Sequence, residues 1–123
     1  MLSALLMVGS VALAEGPGIQ FETTTHDFGN INEDDNPVSC EFEFTNTGDE
    51  PLIIVSANAS CGCTKPEFPK KPINPGKSGK IKVTYNQKGR PGEFNKSIRV
   101  RTNASRPKSI SLKISGVVIP EQD

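Results

Sequence analysis

Cys61 and Cys63, separated by Gly62 and set between Ser60 and Thr64, are the one arrangement in this chain with chemistry beyond packing. In an extended segment residues two apart point the same way, so both sulfurs fall on one face. A disulfide across a single residue closes a small, strained ring that is more easily reduced than a structural bridge. Gly62 would supply the backbone freedom such a ring needs. Two thiolates also suit a soft ion such as Cu(I) or Zn. Two ligands are too few for a closed zinc site, so His26, the single histidine, would have to join from a distant segment. The third reading is a structural pair, reduced or bridged, packed beneath the proline-rich stretch that follows. The motif alone leaves all three open.

No other constellation offers catalysis. His26 and Asp27 are neighbours, but adjacent strand residues point to opposite faces. Glu41 and Glu43 read as a wet strand face. Glu33, Asp34 and Asp35 read as a solvated turn, without the spacing of a calcium-binding helix-loop-helix. The glycines serve turns, and no phosphate-cradling loop precedes a helix. The chain is therefore read as non-enzymatic, with no cofactor expected. Cys40 shares parity with Val38, Phe42 and Phe44 and should face the core as a small hydrophobe, with pairing to Cys61 or Cys63 as the alternative.

The elements that position these residues begin after a leader. Met1 to Ala14 carries no charge and ends Ala12-Leu13-Ala14, an apolar run with a small-x-small cleavage site, as in a secretory signal peptide. It falls short of the about 20 apolar residues a spanning helix needs. No Lys or Arg precedes the run, so the true start is expected upstream of Met1. Residues 15–123 then form one domain, periplasmic or secreted, with no transmembrane segment in the mature chain.

Charge is balanced overall, with 14 basic and 14 acidic residues, yet its distribution is uneven. Residues 15–64 contain no Lys or Arg, and the cations begin at Lys65. A nucleic-acid partner would want a net basic domain or interleaved aromatics, and neither is present. Pairing of strands from the two halves accounts for the split: if 38–45 lies beside 79–86, Glu41 and Glu43 face Lys80 and Lys82, at about 0.2–1 kcal/mol per exposed pair. Arg99 and Arg101 are left outward without an acidic partner.

Alternation of period two runs through the mature chain. It marks strands around Ile19–Phe21, Phe28–Ile31, Val38–Thr45, Gly79–Asn86, Phe94–Thr102 and Ile110–Ile114, followed by an apolar Val117–Ile119 tail. Leu52–Val55 is continuously apolar, as expected of a short, well-covered strand. Between Cys63 and the next strand come Pro66, Pro69, Pro72 and Pro75 with Lys65, Lys70 and Lys71, which read as a surface connection. About seven short strands and no helix predict an all-β, immunoglobulin-like antiparallel sandwich, with an open barrel as the runner-up.

Several segments taken in order carry a resemblance: His26-Asp27-Phe28-Gly29, Phe44-Thr45-Asn46-Thr47-Gly48-Asp49, Ser60-Cys61-Gly62-Cys63-Thr64, Pro72-Ile73-Asn74-Pro75-Gly76 and Val100-Arg101-Thr102-Asn103. Together they resemble the bacterial family called domain of unknown function 1573, over most of residues 19–118. The resemblance implies a sandwich similar to pilus-chaperone and major-sperm-protein modules, and an exported bacterial protein. It implies no activity, because none is established for that family. The expected role is binding or scaffolding with a protein partner in the cell envelope, through short strand edges or the Val117–Ile119 tail. The alternative is a thiol redox or copper-handling module built on Cys61 and Cys63. The sequence leaves the oligomeric state open.

Overall fold

Alternating apolar and polar side chains become strands because only a pleated strand sends successive residues to opposite faces. The computed structural model describes residues 16–105 and 107–121; the expected leader, Met1 to Ala14, lies outside the described residues. Eight strands form: β1 (Gln20–Phe21), β2 (Thr25–Asn32), β3 (Val38–Thr45), β4 (Ile54–Ala59), β5 (Thr64–Glu67), β6 (Ser78–Tyr85), β7 (Gly92–Thr102) and β8 (Ser109–Ile119). They make two four-stranded sheets, ordered β1-β3-β6-β5 and β2-β8-β7-β4. No helix occurs among the described residues. Two sheets face to face make a sandwich rather than a barrel, and the core between them is built from the expected parities. Phe42, Ile81, Val83, Ile98 and Leu112 are fully buried, joined by Tyr85 stacked on Phe94 across the two sheets at 4.1 Å.

The pairing that the charge split suggested is present. β3 lies antiparallel to β6, with Glu41 opposite Lys82 and Glu43 opposite Lys80. The ion pair that forms is diagonal, Lys80 Nζ to Glu41 Oε1 at 3.5 Å, and about half exposed. It serves register more than stability.

Four expectations are corrected. The extra strand is β5, inside what read as a surface connection. Its Pro66 is tolerated because β5 is an edge strand, where a missing N–H can face away from the ladder. The sandwich is not wholly antiparallel, since β2 runs parallel to β8. Period-two alternation is the same in either direction, so sequence carries no sign of it; here nearly the whole chain between Asn32 and Ser109 is the crossover a parallel pair requires. Leu52–Val55 is not covered throughout: Leu52 and Ile54 are buried, but Ile53 is 42 % and Val55 60 % exposed. The Val117–Ile119 tail is not free to add a partner's strand. It is the end of β8, with Val117 and Val118 flanked by β2 on one side and β7 on the other.

The turn at Asn46-Thr47-Gly48-Asp49 does more than end β3. Asn46 is fully buried. Its Oδ1 accepts from the Gly18 and Gly48 main-chain N–H groups at 3.2 and 2.9 Å. Its Nδ2 donates to the Glu50 and Ile73 carbonyls at 2.8 and 2.9 Å. One side chain thus ties the segment before β1, its own turn and the approach to β6. Gln87, equally buried, donates through Nε2 to the Asn32 and Asn36 carbonyls at 3.0 and 3.1 Å, while its Oε1 has no hydrogen-bond partner among the described residues.

Replacing Asn46 with Ala orphans the Gly18 and Gly48 N–H groups and the Glu50 carbonyl, while the Ile73 carbonyl keeps the Leu52 N–H, and a loss of about 3 kcal/mol in urea unfolding is expected. Asn46→Asp should do no better at neutral pH, because its carboxylate would face the Glu50 and Ile73 carbonyls. A loss under about 1 kcal/mol for both variants would show that this network is not a structural hub.

Candidate functional site

The Cys pair sits where the chain leaves one sheet for the other, in the turn between β4 and β5. Main-chain bonds hold that turn. Ser60 N–H donates to the Ser97 carbonyl on β7 at 3.1 Å, Thr64 N–H closes the turn on the Cys61 carbonyl at 3.2 Å, and Asn86 N–H donates to the Cys63 carbonyl at 2.9 Å. The Cys61 and Cys63 sulfurs are in bonding contact, with their Cα atoms 5.3 Å apart. Cys61 Sγ also accepts from the Cys63 N–H at 3.0 Å. Cys63 is 5 % exposed and part of the core, whereas Cys61 is half-buried. Gly62 does not play the part expected of it. Its φ is not positive, and a Cβ there would meet open space.

His26 is not brought to the sulfurs. It lies exposed on β2, edge-on to Phe28 at 4.6 Å between ring centroids. Strands β8 and β7 separate β2 from β4, so His26 is displaced from the Cys turn by three strand spacings, roughly 14 Å. Cys61, Cys63 and His26 therefore form no common ligand set. Among the described residues no group of three or more His, Cys, Asp or Glu side chains could hold a metal ion. Glu33 is occupied structurally, accepting from Gly89 N–H at 3.0 Å and Glu121 N–H at 3.1 Å. Cys40 is free and only half-buried, on β3 opposite Val83. Burial, with the Glu41 carboxylate adding to it, pushes its thiol up to about 11.

Sequence reasoning missed the edge of β4. The ladder to β7 shifts register between Ile54 and Ser56, and this bulge pushes Val55 outward. Ile53 is clamped beside it: its N–H donates to Asn103 Oδ1 at 2.9 Å and its carbonyl accepts from Asn103 N–H at 3.1 Å. Residues 51–64 carry no charge at all, a run visible in the sequence whose exposure was not. The other edges are protected by known devices: β1 has two residues, β5 holds Lys65 and Pro66, and β2 is bulged at Gly29. Arg99 and Arg101 point outward from β7, as expected, with Arg99 Nη1 donating to Ser109 Oγ at 3.4 Å.

A family profile described as "Protein of unknown function (DUF1573)" matches residues 19–118. No curated protein matches the chain. Among solved structures, a protein of unknown function from Porphyromonas gingivalis W83 superposes with a TM-score of 0.71 at 17% identity, over 86% of this chain and 50% of that one. The chain thus spans half the length of that protein. The PapD-like domain 7 of human CEP192 gives 0.62 at 11% identity, over 85% of this chain and 87% of that one. The periplasmic chaperone SfaE gives 0.56 at 12% identity, over 85% and 59%. These likenesses show the fold, an immunoglobulin-like sandwich of the PapD type. Among the described residues no helix is long and apolar enough to cross a membrane.

The raised thiol of Cys40 sets a pH dependence. The reactive thiolate is scarce below about 11, so iodoacetamide labelling of the folded protein, followed by mass, should climb about tenfold per pH unit from 7 to 10 without levelling. The sign extends to stability. A proton held more tightly in the folded state stabilises it below the ordinary cysteine range, and that contribution fades as pH rises toward 11. Labelling that levels near pH 8.5 would contradict this environment for Cys40.

Proposed function

We propose, on the premise that this chain belongs to the DUF1573 family of proteins of unknown function, that it is a non-enzymatic binding module capturing an extended segment of a protein partner along β4. The observation that carries this reading is the unguarded edge. β4 is an outermost strand with no charge along it and two exposed aliphatic side chains, Ile53 and Val55, at its start. An edge strand offers main-chain N–H and C=O groups that water satisfies until another strand replaces it. Such an edge selects an extended, uncharged backbone; ladder bonds give affinity and the aliphatic side chains give preference for apolar residues at alternate positions. The Cys turn at the far end of β4 fixes where the strand leaves the sheet. Placement in the bacterial envelope is part of the proposal, supported by the leader-like Met1 to Ala14 and by the likeness to a periplasmic chaperone.

Peptides selected from a displayed random library against the folded protein test this. The expected binders are uncharged with alternating apolar residues, and they protect amides of Ile54–Ala59 from hydrogen exchange. Val55→Lys should weaken them at least tenfold, or about 1.4 kcal/mol, with an unchanged circular dichroism spectrum. Binders that protect another surface, or that ignore the Val55 change, overturn the reading.

A second reading is favoured by the contact between the Cys61 and Cys63 sulfurs, with Cys61 half-buried in a surface turn. As a thiol module the pair would accept two electrons and two protons from a partner dithiol, opening to two thiols while the partner closes to a disulfide. Once reduced, the thiolates fit a soft ion such as Cu(I). Alkylation of the exported protein in denaturant should then add one label without reductant, at Cys40, and three after mild reduction. Three labels without reductant, or one label after mild reduction, removes the redox reading.

A further inference from the structure

The outer face of the second sheet carries its charges in a pattern that matches itself. Residues facing out can be placed by register. On β7, Arg99 and Glu93 sit six residues apart, either side of a point between Asn95 and Ser97. On the neighbouring strands, Lys113 of β8 lies level with Ser97, and Asp27 of β2 lies level with Ser115 and hence with Asn95. All four charged side chains are exposed. Among the described residues the ion pair within 4.0 Å is Lys80–Glu41 on the other sheet, so these four make no internal ion pair, although Arg99 donates to Ser109 and Asp27 accepts from the Gly29 N–H. The acidic end opens as a depression of about 420 Å³ between Asp27, Glu93 and Asn95, floored by Phe94 and Gly116. The basic end holds a second one of about 370 Å³, lined by Asn58, Ser60, Ser97, Arg99 and Ser111. Gly116 is required by the packing beneath this floor, since a Cβ there would meet the Phe94 ring and the Gly29 carbonyl at 2.8–2.9 Å.

We propose that this face binds the same face of a second copy of the chain about a two-fold axis lying across the strands between Asn95 and Ser97. That operation turns the second copy end for end. Arg99 then meets Glu93 of the second copy, and Glu93 meets the second copy's Arg99, as an isologous contact requires. By the same rotation Lys113 lies beside Asp27 of the second copy. Two kinds of ion pair, each made twice, replace eight unpaired charges, four on each copy, while the short Ser and Asn side chains between them let the faces approach. An in-plane axis along the strands would instead stack Arg99 on Arg99, so the charge pattern selects one of the two arrangements.

The contact is small. Three strand spacings of ~4.8 Å by six residues of ~3.4 Å cover roughly 14 by 20 Å, or about 560 Å² over the two copies, well below the ~1,000 Å² of total burial that stable specific interfaces clear, so the association is a weak one. Weak self-association at low salt, with strong sensitivity to ionic strength, is expected.

Sedimentation equilibrium of the full domain in ~50 mM and ~500 mM salt should show a dimer that dissociates at the higher salt. Arg99→Glu and Glu93→Lys should each weaken self-association at least tenfold, because each places like charges opposite one another twice. Mixing those two variants, or combining both changes in one chain, should restore it, since both pairs then regain opposite signs. Each change lies on a solvent-facing position, so circular dichroism should not move. A wild-type chain monomeric at 1 mM in low salt, or a dimer indifferent to either reversal, or single-variant losses that neither the mixture nor the double change repairs, overturns the proposal.

Discussion

The ladder between β7 and β8 is the constraint on which every functional surface here depends. Ten residue pairs run from Gly92–Val118 to Arg101–Ser109 without a shift. Ile98, Val100, Leu112 and Ile114 on its inner side are fully buried. A slip of one residue would turn one of the two strands over, sending Ile98 and Val100 into water with Arg99 and Arg101 brought into the core, or Leu112 and Ile114 into water with Lys113 brought in. Burial of those four aliphatic side chains, at about 1.5–3 kcal/mol each, outweighs the fraction of a kcal/mol that exposed charges contribute to choosing the register. The outward charges therefore sit where they do because the apolar residues between them are held in place.

The same ladder determines which strands become edges. With β7 and β8 in the middle of their sheet, β2 and β4 fall on its two sides. β2 is disrupted by its bulge, where Asp27 Oδ1 accepts from Gly29 N–H at 2.8 Å. β4 is bulged too, but there the effect is to expose Val55 beside Ile53 rather than to end the pairing. The same kind of backbone irregularity thus protects one edge and leaves the other open.

Two buried amides finish the frame. Asn46 makes four side-chain hydrogen bonds within a fully buried site, while Gln87 holds the β2–β3 connection through Nε2 and leaves Oε1 unpaired among the described residues. An unpaired buried acceptor costs about 1–3 kcal/mol, so Gln87 contributes less than its bonds suggest. Asn46 carries no such cost. It anchors connections that carry no apolar alternation of their own.

By itself, the sequence determined which residues of β3, β6, β7 and β8 face inward, the pairing of Glu41 and Glu43 with Lys82 and Lys80, the outward stance of Arg99 and Arg101, and the sandwich class. Those are local facts: side chains alternate along a strand wherever that strand runs, and opposite charges mark which strands sit together. Only the tertiary structure decided that β2 runs parallel to β8, that Val55 bulges out of an apolar run, that Asn46 is buried, and that His26 lies an entire sheet-width from Cys61 and Cys63. Strand direction, edge position and the burial of a turn depend on contacts between residues far apart in the chain, and a period of two is blind to all three.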